Sequence, residues 1–241
     1  MWYNGGMGRL GPYELDTIVV GDCLDVMRQM PDGCVDAVIT DPPYGMKKAD
    51  WDMVIVPVAS WLPKARQLGP VSVFTGVKGT FDYPKPDWIM AWVRQGSTQR
   101  SGKLRGFNNW EPILLYGVER LANDVIAVSN LPDKSSAGHP TPKPLGLMLK
   151  LLQRLTRRGD IIFDPFMGSG TTAVAAKKLG RHYFGCDINS VYVEMARDRV
   201  AKVTGVQGPL PGFDGCSVHE SANKDVRGRP IPLAGVGGSH P

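Results

Sequence analysis

Short apolar runs along this chain alternate with stretches whose apolar residues recur every three or four positions. Thr17–Val20, Val35–Thr40, Val71–Phe74, Glu111–Tyr116, Ile161–Phe163 and His182–Cys186 read as short strands, and Val125–Val128 as a weaker one. Between them, Leu24–Met30, Ala59–Leu68, Leu145–Leu155 and Ala173–Leu179 read as helices. Tyr192, Met195, Ala196, Arg199 and Val200 mark one face of a last helix. In Leu145–Leu155 the expected buried face is Leu145, Met148, Leu149, Leu152 and Leu155, and Pro144 opens the helix where its missing N–H costs nothing. Strand, helix and strand in succession imply parallel pairing. The predicted fold is therefore α/β, a doubly wound, mostly parallel sheet.

Composition sets the outer limits. The 241 residues are enough for one α/β domain with a real core, and 42% hydrophobic with 21% charged residues is a globular balance. Residues 1–14 are Gly-rich and read as a loose arm, 15–204 as the domain, and 205–241 as a mostly disordered tail. No run reaches the apolar length of a membrane span, and Met1–Gly11 lacks a signal-peptide core, so a cytoplasmic location is expected. Cys23, Cys34, Cys186 and Cys216 show no CxxC spacing, so neither a metal site nor a disulfide framework is expected. The net charge is +5, and acids and bases cancel in residues 207–241. The excess therefore belongs to the rest of the chain, which fits a polyanionic partner.

The chemistry gathers where strands end. The second strand stops at Asp41-Pro42-Pro43-Tyr44, because neither proline has the N–H a ladder needs. In open α/β sheets ligands bind at the carboxyl ends of strands. A carboxylate, backbone carbonyls and an aromatic face suit a flat polar ring bearing an amino group; an ordinary loop with a packed Tyr is the competing reading. Farther on, Ile161–Phe163 runs into Asp164-Pro-Phe-Met-Gly168-Ser-Gly170-Thr-Thr172, a G-x-G-x-x-A turn between strand and helix. Asp187 ends the next strand, where a ribose-binding acid belongs. NAD, FAD and S-adenosylmethionine sites all use such a turn. A phosphate-binding P-loop is rejected, since no Lys follows the glycines. A nicotinamide or flavin oxidoreductase leaves Asp41–Tyr44 unexplained.

The order of Asp41-Pro-Pro-Tyr44, His139-Pro-Thr-Pro-Lys143-Pro144, Asp164–Thr172 and Asp187 resembles the β group of amino DNA methyltransferases. The resemblance covers roughly residues 15–204. It implies a Rossmann-like methyltransferase fold with circularly permuted motif order, and S-adenosylmethionine as cofactor. It places Phe166, Gly168, Gly170 and Thr171 in the cofactor loop with Asp164 at the strand end, and Asp187 on the ribose. Asp22 resembles the acid beside the cofactor adenine, although a helix N-cap is nearly as good a reading. His139, Lys143 and Pro144 resemble the segment bordering the methionine end. Asp41 and the Pro42 carbonyl would hold the amino hydrogens, Pro43 would stiffen the turn and Tyr44 would stack on an extruded base. The cytosine-C5 class needs a Pro-Cys pair, and none occurs.

The implied activity is methylation of adenine N6 in double-stranded DNA. Cytosine N4 is the alternative, and a catalytically silent DNA-binding protein of the same fold is a further one. Asp at position 41 is usual for adenine enzymes, whereas many cytosine-N4 enzymes carry Ser. Lys47 and Lys48 lie in a loop able to close over a substrate. Arg94, Arg100, Lys103 and Arg105 lie between Trp88 and Trp110, a stretch without Asp or Glu and interleaved with aromatics. Both stretches are candidate phosphate contacts or plain solvated loops. Short DNA-recognition segments are expected within 77–138. Larger family members insert a sizeable recognition region, so either selectivity here is short or relaxed, or a homodimer completes the DNA surface.

Overall fold

The computed structural model of this protein describes residues 9–43, 56–95, 108–119, 123–129 and 142–206. Among them the strands are Arg9–Leu10 (β1), Tyr13–Glu14 (β2), Thr17–Val20 (β3), Ala37–Thr40 (β4) and Val71–Phe74 (β5). Trp88–Gln95 (β6), Trp110–Tyr116 (β7), Val125–Ser129 (β8), Ile161–Asp164 (β9) and His182–Asp187 (β10) follow. The helices are Cys23–Arg28 (α1), Val58–Leu68 (α2), Leu145–Leu155 (α3), Thr171–Lys178 (α4) and Ser190–Ala201 (α5).

Eight strands form one sheet in the order β3-β10-β9-β4-β5-β7-β6-β8. The first five in that order are mutually parallel. β7 runs antiparallel to β5 and β6, and β8 is parallel to β6. Successive strand residues point to opposite faces, and the core divides accordingly. On β9, Ile162 joins the layer holding α3, α4 and α5, while Ile161 and Phe163 join the layer holding α1 and α2. On β4, Ala37 and Ile39 face the first layer and Val38 the second. Strands covered on both sides are apolar throughout, which is why these runs were legible. The early strand β3 lies at one edge of the sheet beside the late strand β10, with Thr17 opposite Phe184. This is the permuted, doubly wound arrangement predicted.

Three predictions need correction. The loose arm does not extend to residue 14: β1 and β2 pair as a hairpin, Leu10 is buried, and Tyr13 stacks on Phe184 with ring centroids 4.9 Å apart. Burying a leucine and an aromatic ring, each worth roughly 1.5–3 kcal/mol, outweighs the Gly-rich composition. The buried face of α3 is Leu147, Met148, Leu149, Leu151 and Leu152, with Leu145 and Leu155 only half-buried. The helix packs against both α4 and β8, which widens the covered stripe. Finally, Trp88–Gln95 is an eight-residue strand within the sheet, where a basic loop was expected. Its Trp92 and Met90 lie in the core.

The topology fixes where a ligand can bind. From β4 the chain crosses through α2 to β5 on one side; from β9 it crosses through α4 to β10 on the other. β4 and β9 are neighbours, with Ala37 opposite Ile162 and Val38 opposite Phe163. Connections leaving adjacent parallel strands in opposite directions open a crevice at their carboxyl ends. The turn at Asp41 and the loop from Asp164 to Gly170 border that crevice.

Candidate active site

Asp164 ties the two borders together. Its carboxylate accepts from Thr40 Oγ1 at 2.7 Å, Thr172 Oγ1 at 2.6 Å and the Phe166 N–H at 3.0 Å. The residue is 4% exposed. Burial pushes its pKa up to about 6; the three donors oppose the rise, and the charge of Asp41 adds to it. Asp164 was expected to touch a cofactor directly. Instead its oxygens are taken up inside, joining β4, the loop and the start of α4.

The loop itself is shaped from three sides. The Gly168 N–H donates to Asp187 Oδ2 at 2.8 Å, with Gly168 at φ +50°. The Asn189 N–H donates to Asp187 Oδ1 at 2.9 Å. Burial raises the Asp187 pKa against both donors. From beneath, buried Arg199 of α5 donates through Nη1 to the Ser169 carbonyl at 2.6 Å, Ser169 Oγ at 3.0 Å and Thr171 Oγ1 at 3.2 Å. Gly170 caps α4 at φ +82°. A Cβ there would lie 2.6 Å from Ala196 Cβ and 2.9 Å from Ala196 Cα. Gly170 and Thr171 therefore also serve the docking of α5 under the loop, beside the cofactor contacts expected of them. Phe166 packs edge-on against Trp61, centroids 5.4 Å apart.

Asp22 sits one strand beyond, where the Gly21 N–H meets the Asp187 carbonyl at 3.0 Å. Its Oδ1 accepts from the Leu24 N–H at 2.8 Å, so it is the N-cap of α1. Pro144 caps α3 by backbone shape alone.

At the other border, Asp41 and Pro43 are half-buried and Pro42 is buried. Asp41 Oδ2 meets Lys143 Nζ at 2.9 Å. Lys143 also approaches Glu111 Oε2 at 3.3 Å, and Glu111 Oε1 meets Arg94 Nη1 at 2.8 Å. Lys143 lies over the rings of Phe74 and Trp92, 5.3 and 5.9 Å from their centroids. Burial alone would pull its pKa down; Asp41 and Glu111 outweigh it, and the net shift is upward. Arg94 is 4% exposed and donates through Nη2 to the Asn108 carbonyl at 2.7 Å. It was expected to contact phosphate. A guanidinium buried against Glu111 is not presented to a phosphate, and that expectation is withdrawn. Tyr44, Lys47, Lys48, Arg100, Lys103, Arg105 and His139 lie outside the described residues.

A permuted sheet with this switch point, a glycine loop pinned to an acid and an Asp-Pro-Pro turn beside it can be compared with known proteins. Residues 122–198 match the sequence model of the N6/N4 DNA methylase family. A type II methyltransferase of Moraxella bovis, M2.MboI, is 25% identical, over 82% of this chain and 94% of its own length. M.HpaI of Haemophilus parainfluenzae is 24% identical over 76% and 73%. The chain is similar to N6/N4 DNA methylases. Among solved structures, the M1.HpyAVI–SAM complex superposes on this chain with a TM-score of 0.60 at 24% identity, over 76% of this chain and 98% of that one. The cytosine-N4-specific PvuII DNA methyltransferase does so at 0.59 and 16%, over 82% and 89%. Both likenesses establish the fold.

Sequence reasoning missed four residues of the site: Thr40, Thr172, Glu111 and Arg199. Thr40 and Thr172 looked like ordinary strand and helix positions. Glu111 looked like the start of a buried strand, and Arg94 like part of a solvated segment. A lone acid and a lone base in apolar strands were the signal: Arg94 is buried and Glu111 half-buried on neighbouring strands, where charges persist only when paired. Arg199 on an otherwise apolar helix face was the same signal. Among the described residues no group could hold a metal ion, and no helix is long and apolar enough to cross a membrane.

Proposed function

We propose that this methylase transfers a methyl group from S-adenosylmethionine to adenine N6 in double-stranded DNA. The observation that carries the reading is the placement of the Asp41 carboxylate across one crevice from the Gly168–Asp187 loop. The residues present fit the cofactor. A carboxylate offers about four acceptor positions, and Asp187 meets one backbone N–H at each oxygen, so two remain for a ribose diol. Val20 and Ile188, on either side of Asp187 at the strand ends, are 52% and 72% exposed, apolar cover for a flat ring. The cofactor, when bound, supplies an electrophilic methyl group on a sulfonium.

The chain's own residues do the rest. The target amine is a poor nucleophile because its lone pair is delocalised into the ring. Asp41 and the Pro42 carbonyl accept its two hydrogens and hold the lone pair toward the donor. Positioning and electrostatics of this kind need no covalent intermediate. Pro42 and Pro43 fix the turn so that this alignment does not have to be recreated in each cycle. Tyr44 stacks on a base that has left the duplex at a cost of roughly a few kcal/mol. Arg100, Lys103, Arg105, Lys47 and Lys48 supply the phosphate contacts. The short length available for recognition favours a brief recognition sequence or completion of the surface by a second copy.

Asp at the head of the motif favours adenine. The fold similarity to a cytosine-N4 enzyme keeps N4 as the second reading. Incubation with labelled S-adenosylmethionine and unmethylated DNA, followed by digestion to nucleosides, tests both. N6-methyldeoxyadenosine is expected; N4-methyldeoxycytidine would assign the second reading, and bound cofactor without product would remove the enzyme reading. Asp41→Ala is expected to abolish transfer while cofactor affinity stays within a few-fold. Normal turnover in that variant would take Asp41 out of the mechanism.

A further inference from the structure

Four charged residues of alternating sign run from the sheet to the proposed catalytic acid: Arg94 on β6, Glu111 on β7, Lys143 ahead of α3 and Asp41 after β4. The contacts are 2.8, 3.3 and 2.9 Å. Their side chains are 3%, 18%, 13% and 28% exposed, so Arg94 is the most buried of the four and Asp41 the least. Pairs this sheltered are screened far less than surface pairs. An unpaired buried charge is costly, so the order of signs holds each member in place. Arg94 is itself fixed by the Asn108 carbonyl and by the Trp92 ring. Lys143 is confined by Phe74 and Trp92. A lysine has a flexible four-carbon stem; here two carboxylates and two rings remove that freedom.

We infer that Lys143, held by Glu111 and through it by Arg94, is a positioning residue that sets the plane of the Asp41 carboxylate for methyl transfer. This rests on the proposed function, since it assigns Asp41 to the target amine. A resemblance-based role for Lys143 at the methionine end of the cofactor makes a different forecast, because loss of a cofactor contact shows in cofactor affinity. Lys143 engages Oδ2, which orients the Asp41 carboxylate.

The experiment is steady-state and single-turnover kinetics on the full chain with duplex DNA, for wild type, Lys143→Met, Glu111→Gln and the double variant. Cofactor affinity is read separately by equilibrium binding. For Lys143→Met the expected result is a loss of about a hundredfold in kcat, with cofactor affinity within about threefold. Glu111→Gln is expected to lose about tenfold in kcat. In the Lys143→Met background Glu111→Gln should cost little more, because it acts through the lysine. Should Lys143→Met fail to fold, Glu111→Gln and Lys143→Arg carry the test. Arg keeps the charge and should retain more of kcat than Met does. A weaker cofactor affinity with kcat unchanged would overturn the inference. So would losses in Lys143→Met and Glu111→Gln that simply add in the double variant. A wild-type protein that methylates no DNA would overturn the proposed function instead.

Discussion

Replacing Asp164 by Asn tests how the crevice is held open. In the folded protein burial lifts this carboxyl to about 6, against an ordinary 3.8. An acid with a raised folded-state pKa binds protons more readily folded than unfolded between those two values. Its contribution to stability therefore grows as pH falls through about 6 and is lost as pH rises through it. At one decade per 1.36 kcal/mol the full swing is about 3 kcal/mol. At pH 5, where the folded group is mostly protonated and the unfolded one is not, the gain over neutral pH is about 1.4 kcal/mol. Asn keeps the shape and an acceptor for Thr40 and Phe166 but cannot titrate. Urea unfolding of both proteins from pH 5 to 8 yields the difference in stability at each pH, in which shared titrations cancel. The difference should shift toward wild type by about 1.4 kcal/mol between pH 8 and pH 5. A difference flat across that range would refute the raised pKa and, with it, the view that Asp164 is sealed inside. The same variant separates a strut from a ligand. Because the carboxylate is occupied by Thr40, Thr172 and the Phe166 N–H, cofactor affinity should fall by no more than a few-fold. A loss beyond about tenfold at neutral pH, corresponding to about 1.4 kcal/mol, would mean the carboxylate reaches the cofactor after all.

Two further outcomes follow from contacts in the site. Gly170→Ala introduces a methyl 2.6 Å from Ala196 Cβ at a backbone φ of +82°. It should destabilise the protein by about 2–4 kcal/mol, read as a lowered melting temperature, and Ala196→Gly should recover part of the loss; no recovery would locate the strain elsewhere. Arg94→Met should cost about 3–5 kcal/mol of stability by leaving Glu111 short of its partner, without changing the salt dependence of DNA binding. Charge reversal at Arg100 and Lys103 should do the opposite, weakening binding and flattening its salt slope. A flattened slope in Arg94→Met would return Arg94 to the DNA surface.

Much of the architecture was legible from pattern alone. Apolar runs ending at Asp41, Asp164 and Asp187 marked parallel strands, because a strand covered on both faces must be apolar throughout and must turn where its ladder ends. Pro42 and Pro43 placed one turn without ambiguity, since neither can donate to a neighbour. The glycine spacing between Phe163 and Ala173 announced a close backbone approach. These are local constraints, set by the chain's own covalent chemistry, and they carry the family resemblance with them. The hairpin at Arg9–Glu14 and the strand at Trp88–Gln95 were not legible. Gly-rich or mixed segments have little intrinsic preference, and only burial against Phe184, or between β7 and β8, decides them.

What only the tertiary structure decided is which charges meet. Asp41, Arg94, Glu111 and Lys143 come from four separate segments, and no spacing in the sequence announces their contact. The carboxylate of Asp164, which the motif assigns to a ligand, turns inward to Thr40 and Thr172, and Gly170 packs where Ala196 leaves no room for a side chain. The reason is physical. A residue's tendency to form a strand, a turn or a cap is settled within a few neighbours, whereas the partner of a buried charge is settled by the sheet order that brings distant strand ends together.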